Sequence, residues 1–189
     1  EWSKDSKTNV ATMADNDFRH NEKSVILDNE DTLSIVLKTA DGEQTLLPEL
    51  PVLKGEVIDG TFMSAKALDE FLLAQVKRAK EEGVLFSTHL KATMMKVSDP
   101  ILFGHVVRAF FADVYDKYGE ELLAAGLNGE NGLGAIYEGL KNLDNGEEIK
   151  AAFDAALSDG PDLAMVNSHK GITNLHVPSD VIIDASMPA

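Results

Sequence analysis

The sequence predicts an α/β fold, a mixed sheet flanked by helices, with a small β-rich section ahead of it. Three observations predict this. Apolar residues recur at helical spacing over 64–83 and 99–114. Short apolar runs at 84–88, 163–167 and 181–184 stand between helical stretches, and such alternation favours at least partly parallel strand pairing. Residues 1–53 instead show strand alternation and turn chemistry.

Taken in order, residues 1–30 are polar, with Trp2, Val10 and Phe18 as scattered apolar anchors. "TLSIVLKT" (32–39) sets Leu33, Ile35 and Leu37 on one face, as a strand does, and Asp41-Gly42 suits a two-residue hairpin turn. Pro48 and Pro51 break the pattern and mark an edge or linker, because proline cannot donate to a ladder. Ser64 suits the N-cap of a helix whose inner stripe is Leu68, Phe71, Leu72 and Val76 and which closes at Gly83. "VLFST" (84–88) reads as a buried strand. Asp99 is expected to cap the next helix, with Pro100 at its first position and a stripe of Ile101, Leu102, Val106, Phe110 and Val114. "AGLNGENGLG" (125–134) reads as a connector, followed by helices at 133–142 and 147–158, the second stopped by Gly160-Pro161. "LAMVN" (163–167) and "VIID" (181–184) read as short strands.

Composition removes several classes of function. The 189 residues are 44% hydrophobic and 26% charged, as in soluble globular chains. A net charge of -15 repels phosphate backbones, so nucleic acid is not an expected partner. No run approaches the roughly 18 apolar residues that span a bilayer, so no membrane association is expected either. The absence of cysteine excludes disulfides, zinc-thiolate sites and thiol catalysis. The start at Glu1 lacks a charged-then-apolar signal pattern, which suggests a cytoplasmic protein. The first residue is not Met and the last follows a motif-like run, so the chain reads as part of something longer.

In open α/β sheets, ligands gather beyond the carboxyl ends of strands. Three polar stretches follow apolar runs here: "STHLKATMMK", "NSHKGITNLH" and "DASMPA". In the first, Lys91 at a strand end can hold a substrate carboxylate or move a proton, although a solvent-facing lysine is the commoner outcome for any one Lys. His89 could shuttle protons or serve structurally, and Met94 and Met95 read as packing residues. In the third, Asp184 could bind Mg²⁺ or Mn²⁺ through a hard oxygen or simply cap the residues after it. Asp180 reads as a turn residue. His169, Lys170 and His176 lie in a loop without the spacing of a zinc helix. Glycines 126, 129, 132 and 134 run G-x-x-G-x-x-G-x-G rather than in dinucleotide-loop order, and read as a connector.

"GEVIDGTFMSAKALDEF", "GVLFSTHLKATMMKVSDPILFGHVV" and "NSHKGITNLHVPSDVIIDASMPA" together resemble the monomeric, NADP-dependent isocitrate dehydrogenases of bacteria. "HLKATMMKVSDPI" is the most distinctive part. The resemblance implies an isocitrate/isopropylmalate dehydrogenase-like fold, with 1–53 a small β-rich section or linker. Residues 54–189 would then be an α/β half of the large catalytic domain, incomplete at its C-terminal end. It also implies oxidative decarboxylation of isocitrate to 2-oxoglutarate with NADP⁺ and Mg²⁺ or Mn²⁺, in the tricarboxylic acid cycle and glyoxylate bypass. By the same resemblance Lys91 is catalytic and Asp184 is one of three metal aspartates, with Asp180 second choice. No cofactor-binding residue is assigned within 1–189. The other metal aspartates, a tyrosine and the NADP site are expected after Ala189, and most isocitrate-gripping residues before Glu1. The whole enzyme is expected to be monomeric and the separate segment inactive, with self-association possible through apolar surface. The rival reading is a non-catalytic acidic binding domain of the same fold.

Overall fold

The structure is a computed structural model that describes residues 3–92 and 94–178. Asp180, Asp184 and the 181–184 run therefore lie outside the described residues. The chain forms two compact units, residues 14–64 and residues 1–13 with 65–189.

The unit 14–64 holds a short helix α1 (Phe18–Asn21) and four strands. β1 (Lys23–Ile26) pairs antiparallel with β4 (Val57–Gly60), and β2 (Asp31–Thr39) pairs antiparallel with β3 (Gly42–Val52). The β2–β3 hairpin closes one residue earlier than expected. Thr39 faces Gly42, so Ala40 and Asp41 form the turn, and the Thr39 hydroxyl accepts from the Asp41 N–H. The prolines do not break the return strand. Leu33 faces Leu50 and Ile35 faces Leu47, so Ser34 alone opposes Pro48 and Glu49. This bulge absorbs a residue with no N–H, and β3 continues through Pro51 to Val52.

In the other unit, α2 (Ala65–Glu82) buries Leu68, Leu72 and Ala79 along one stripe. It ends where the Val84 N–H reaches the Ala79 carbonyl and the Gly83 N–H reaches that of Lys80, with Gly83 at φ 63°. This paired closure needs a left-handed residue, which glycine adopts without strain. α3 (Ser98–Phe110) and α4 (Ala112–Ala124) follow one another. The single stripe expected through Val114 is broken at Phe111 (φ -107°, ψ 36°), so Val114 belongs to α4. A 3₁₀ turn (Gly129–Asn131), α5 (Gly132–Leu140) and α6 (Gly146–Asp159) complete the helical part.

The helices meet on a chain of rings. Phe153 of α6 sits edge-on to Phe111 at 5.0 Å, Phe111 to Phe110 at 4.9 Å, and Phe110 lies 6.1 Å from Phe86. Phe111, Leu122, Ile136, Ile149, Phe153 and Leu175 are fully buried around them.

Tyr115 also packs on Phe153, and its hydroxyl is buried with no hydrogen-bond partner among the described residues. Burial pushes the phenol up to about 12, with Arg108 pulling weakly the other way. The unfolded chain ionises near the ordinary value of about 10, so the native state holds this proton more tightly. Its contribution is complete below pH about 10 and is lost as the pH rises through about 12. Denaturant unfolding followed from pH 9 to 12 should show that decline in the parent and less of it in Tyr115→Phe, by about 1 kcal/mol or more.

Among the described residues the expected mixed sheet does not form. β5 (Met165–Asn167) and β6 (Ile172–Thr173) are antiparallel, as are the other two pairs, so each sheet among the described residues is two-stranded. The predicted buried strand 84–88 reduces to one parallel bridge, Phe86 with Leu163, and Leu85 is 56% exposed. No helix among the described residues is long and apolar enough to cross a membrane.

Candidate functional site

The short parallel bridge places the Lys91 segment. The Phe86 N–H donates to the Asp162 carbonyl at 2.7 Å, and the Ala164 N–H donates to the Phe86 carbonyl at 2.9 Å. Two residues later the segments part. The Ala164 carbonyl accepts instead from the Asn174 N–H at 2.8 Å, and the Thr88 carbonyl accepts from Asn174 Nδ2 at 2.6 Å. Where they part, a cavity of about 230 Å³ opens, lined by Thr88, His89, Leu90, Met165, Asn174 and Val177 among others. It lies beyond the carboxyl ends of both extended segments, where α/β proteins collect ligands.

Lys91 follows Leu90 of the cavity wall directly and is partly buried. Its backbone N–H donates to Asp99 Oδ2 at 2.6 Å. The predicted role of Asp99 as N-cap is thereby corrected. The helix starts at Ser98, and the Asp99 N–H donates to the Met95 carbonyl. The carboxylate turns back eight residues along the chain and also accepts from the Ser98 hydroxyl. Asp99 is 8% exposed, so this carboxylate is nearly dry, and its place in the first turn of α3 lets the helix dipole stabilise its charge.

The remaining candidates scatter. His89 Nε2 hydrogen-bonds the Ser87 hydroxyl at 2.5 Å on an exposed stretch. His169 and Lys170 are exposed on the turn between β5 and β6. Met94 and Met95, expected to pack, are exposed instead, at 67% and 47%. Asp184 and Asp180, the proposed metal carboxylates, lie outside the described residues. Among the described residues no three His, Asp or Glu side chains gather as a metal site.

The glycine run has a packing role. The Leu133 and Gly134 N–H groups at the start of α5 donate to the Leu175 and His176 carbonyls, both at 3.0 Å. These are amides a helix cannot satisfy internally, and here backbone takes them. Gly132 has φ 81°, and a Cβ there would collide with the His176 carbonyl; one at Gly134 would meet the His176 ring at 2.6 Å. The glycines thus let 175–177 lie against α5, which fixes Asn174 one residue upstream. Asn174 and the backward reach of Asp99 were not visible in the sequence. Asn174 sits in a polar loop by composition, and only its 8% exposure singles it out.

Comparison with known proteins gives a consistent result. A family profile described as monomeric isocitrate dehydrogenase matches residues 1–189. The isocitrate dehydrogenase [NADP] of Corynebacterium efficiens is 77% identical over 190 residues, covering all of this chain and 26% of that protein. That of Corynebacterium glutamicum is 74% identical and that of Azotobacter vinelandii 49%, with the same coverage of 100% and 26%. The chain therefore spans about a quarter of the length of these relatives. A match that runs from the first residue to the last leaves no part of the sequence outside it, and the chain belongs to the monomeric isocitrate dehydrogenase family.

Proposed function

We propose that this chain is a segment of an NADP-dependent isocitrate dehydrogenase of the isocitrate/isopropylmalate dehydrogenase-like fold. The whole enzyme would oxidise isocitrate and release CO2 and 2-oxoglutarate. The observation that favours this most is the end-to-end family match combined with the anchored position of Lys91. A lysine ammonium attracts a tricarboxylate, and its amine can take or return a proton at the substrate. Lys91 is assigned that role. NADP⁺ would accept the hydride, through residues outside this chain.

Asp184 is proposed as one carboxylate for Mg²⁺ or Mn²⁺, whose ligands are hard oxygens. One carboxylate holds such an ion weakly, and the described residues add no set of partners. The metal would polarise the substrate's oxygen when bound. The separate segment is accordingly proposed to be inactive, because part of a site cannot preorganise a transition state.

The test compares the isolated 189-residue chain with the whole protein, using isocitrate, NADP⁺ and Mn²⁺ and following NADPH. The whole protein should form NADPH and the isolated chain none. Robust turnover by the isolated chain would refute the incomplete site. A whole protein without turnover would favour a non-catalytic binding domain.

A further inference from the structure

We propose that Asn174 is a positioning residue for Lys91: it ends the parallel ladder between 86–88 and 162–164 and fixes the Thr88 carbonyl, three residues ahead of the lysine. This rests on the reading of Lys91 as a proton-transferring group.

The bonding pattern carries the inference. In a parallel ladder continued past Phe86, the Thr88 N–H would donate to the Ala164 carbonyl and the Val166 N–H to the Thr88 carbonyl. Both acceptors are taken by Asn174, one by its backbone N–H and the other by its side-chain amide. A single residue thus closes both strand ends. Released from that register, β5 pairs with β6 and the 88–90 segment bends away to line the cavity. The amide orientation follows from its partner, because a carbonyl accepts only from NH₂. The other amide atom, Oδ1, is buried and has no partner among the described residues.

Asp99 completes the clamp. Residues 88–91 are held at one end by Asn174 on the Thr88 carbonyl and at the other by Asp99 on the Lys91 N–H. Both residues are 8% exposed, where an unmade hydrogen bond is expensive and a made one is well defined in position. Neither Asn174 nor Asp99 need touch substrate to act. Catalysis by a lysine depends on placing its amine to within a fraction of an ångström, and a displacement of about 1 Å can cost about 100-fold in rate.

The experiment uses the whole dehydrogenase with Asn174→Ala, Asn174→Asp, Lys91→Met and the double variant Asn174→Ala/Lys91→Met. Asn174→Asp keeps the side-chain volume but cannot donate to the Thr88 carbonyl when ionised, so it remains informative if the alanine variant folds poorly. The expected result is faster amide exchange over 86–91 and a kcat lowered about 100-fold with KM for NADP⁺ unchanged. The double variant should be no slower than Lys91→Met, because the two changes disable one function. If Lys91→Met is inactive while both Asn174 variants keep the parental kcat, the positioning role is overturned and the lysine reading stands. The same holds if the double variant is slower than Lys91→Met by the full factor of Asn174→Ala. Near-normal turnover by Lys91→Met would overturn the lysine reading, and the proposal with it.

Discussion

If Lys91 moves the proton as proposed, Lys91→Met in the whole protein is expected to lower kcat by about 10²–10⁴-fold, the range over which a positioned acid or base accelerates a reaction. That corresponds to about 3–5 kcal/mol of lost transition-state stabilisation. Methionine preserves the length and apolar stem of the side chain and removes only the amine. The backbone N–H of residue 91 would still donate to Asp99, so the loop should keep its path. Thermal unfolding should accordingly match the parent while turnover collapses. A variant with near-normal kcat would remove Lys91 from the mechanism, and one with a lowered Tm would mean the lysine is structural instead.

The second large effect is on stability. Phe153→Ala should cost about 3–5 kcal/mol, the range for removing a buried aromatic ring. Phe153 is fully buried, and Phe111, Tyr115 and Tyr137 all pack edge-on to it, at 5.0, 6.1 and 6.1 Å. It is therefore the hub on which α4, α5 and α6 meet, and a small residue leaves a void that three rings cannot fill without moving. A native domain has only about 5–15 kcal/mol in all, so a large fraction would go. Denaturant unfolding of the 189-residue chain should show a lower midpoint at similar slope. A loss below about 1 kcal/mol would mean the ring cluster is not the organising contact. Because the rings continue through Phe110 to Phe86, the parallel bridge at Phe86 should loosen as well, visible as faster amide exchange at Phe86 and Ala164.

The helices were legible in the sequence because their signals are local. The stripe of Leu68, Phe71, Leu72 and Val76 repeats within one segment, with Leu68 and Leu72 on its buried side, and Gly83 closes it a few residues away. The hairpin of β2 and β3 was legible for the same reason, to within one residue at the turn. Pairing was not. The run 84–88 is apolar enough for a strand, yet whether it meets a partner over five residues or one is decided by what competes for the partner's carbonyls. Asn174 takes one of those, that of Ala164, and also the run's own Thr88 carbonyl. Asp99-Pro100 looked like a helix cap because caps are defined by neighbours, but the carboxylate instead accepts from the backbone N–H eight residues back.

By itself the sequence determined the family, through long runs such as "HLKATMMKVSDPI", and it singled out Lys91 as the residue to question. It also determined where most helices form, since a 3.6-residue period needs no distant contact to be read, but not the break at Phe111 that starts α4. Only the tertiary structure decided how the Lys91 segment is held. Asp99 accepts from the Lys91 N–H and Asn174 donates to the Thr88 carbonyl, so residues 8 and 86 positions downstream hold the two ends of 88–91. A side chain's value as an anchor depends on its burial and on which acceptor it reaches, and neither is a property of its neighbours in sequence. Asn174 is an ordinary loop residue until the fold places it, 8% exposed, against the carbonyl of Thr88.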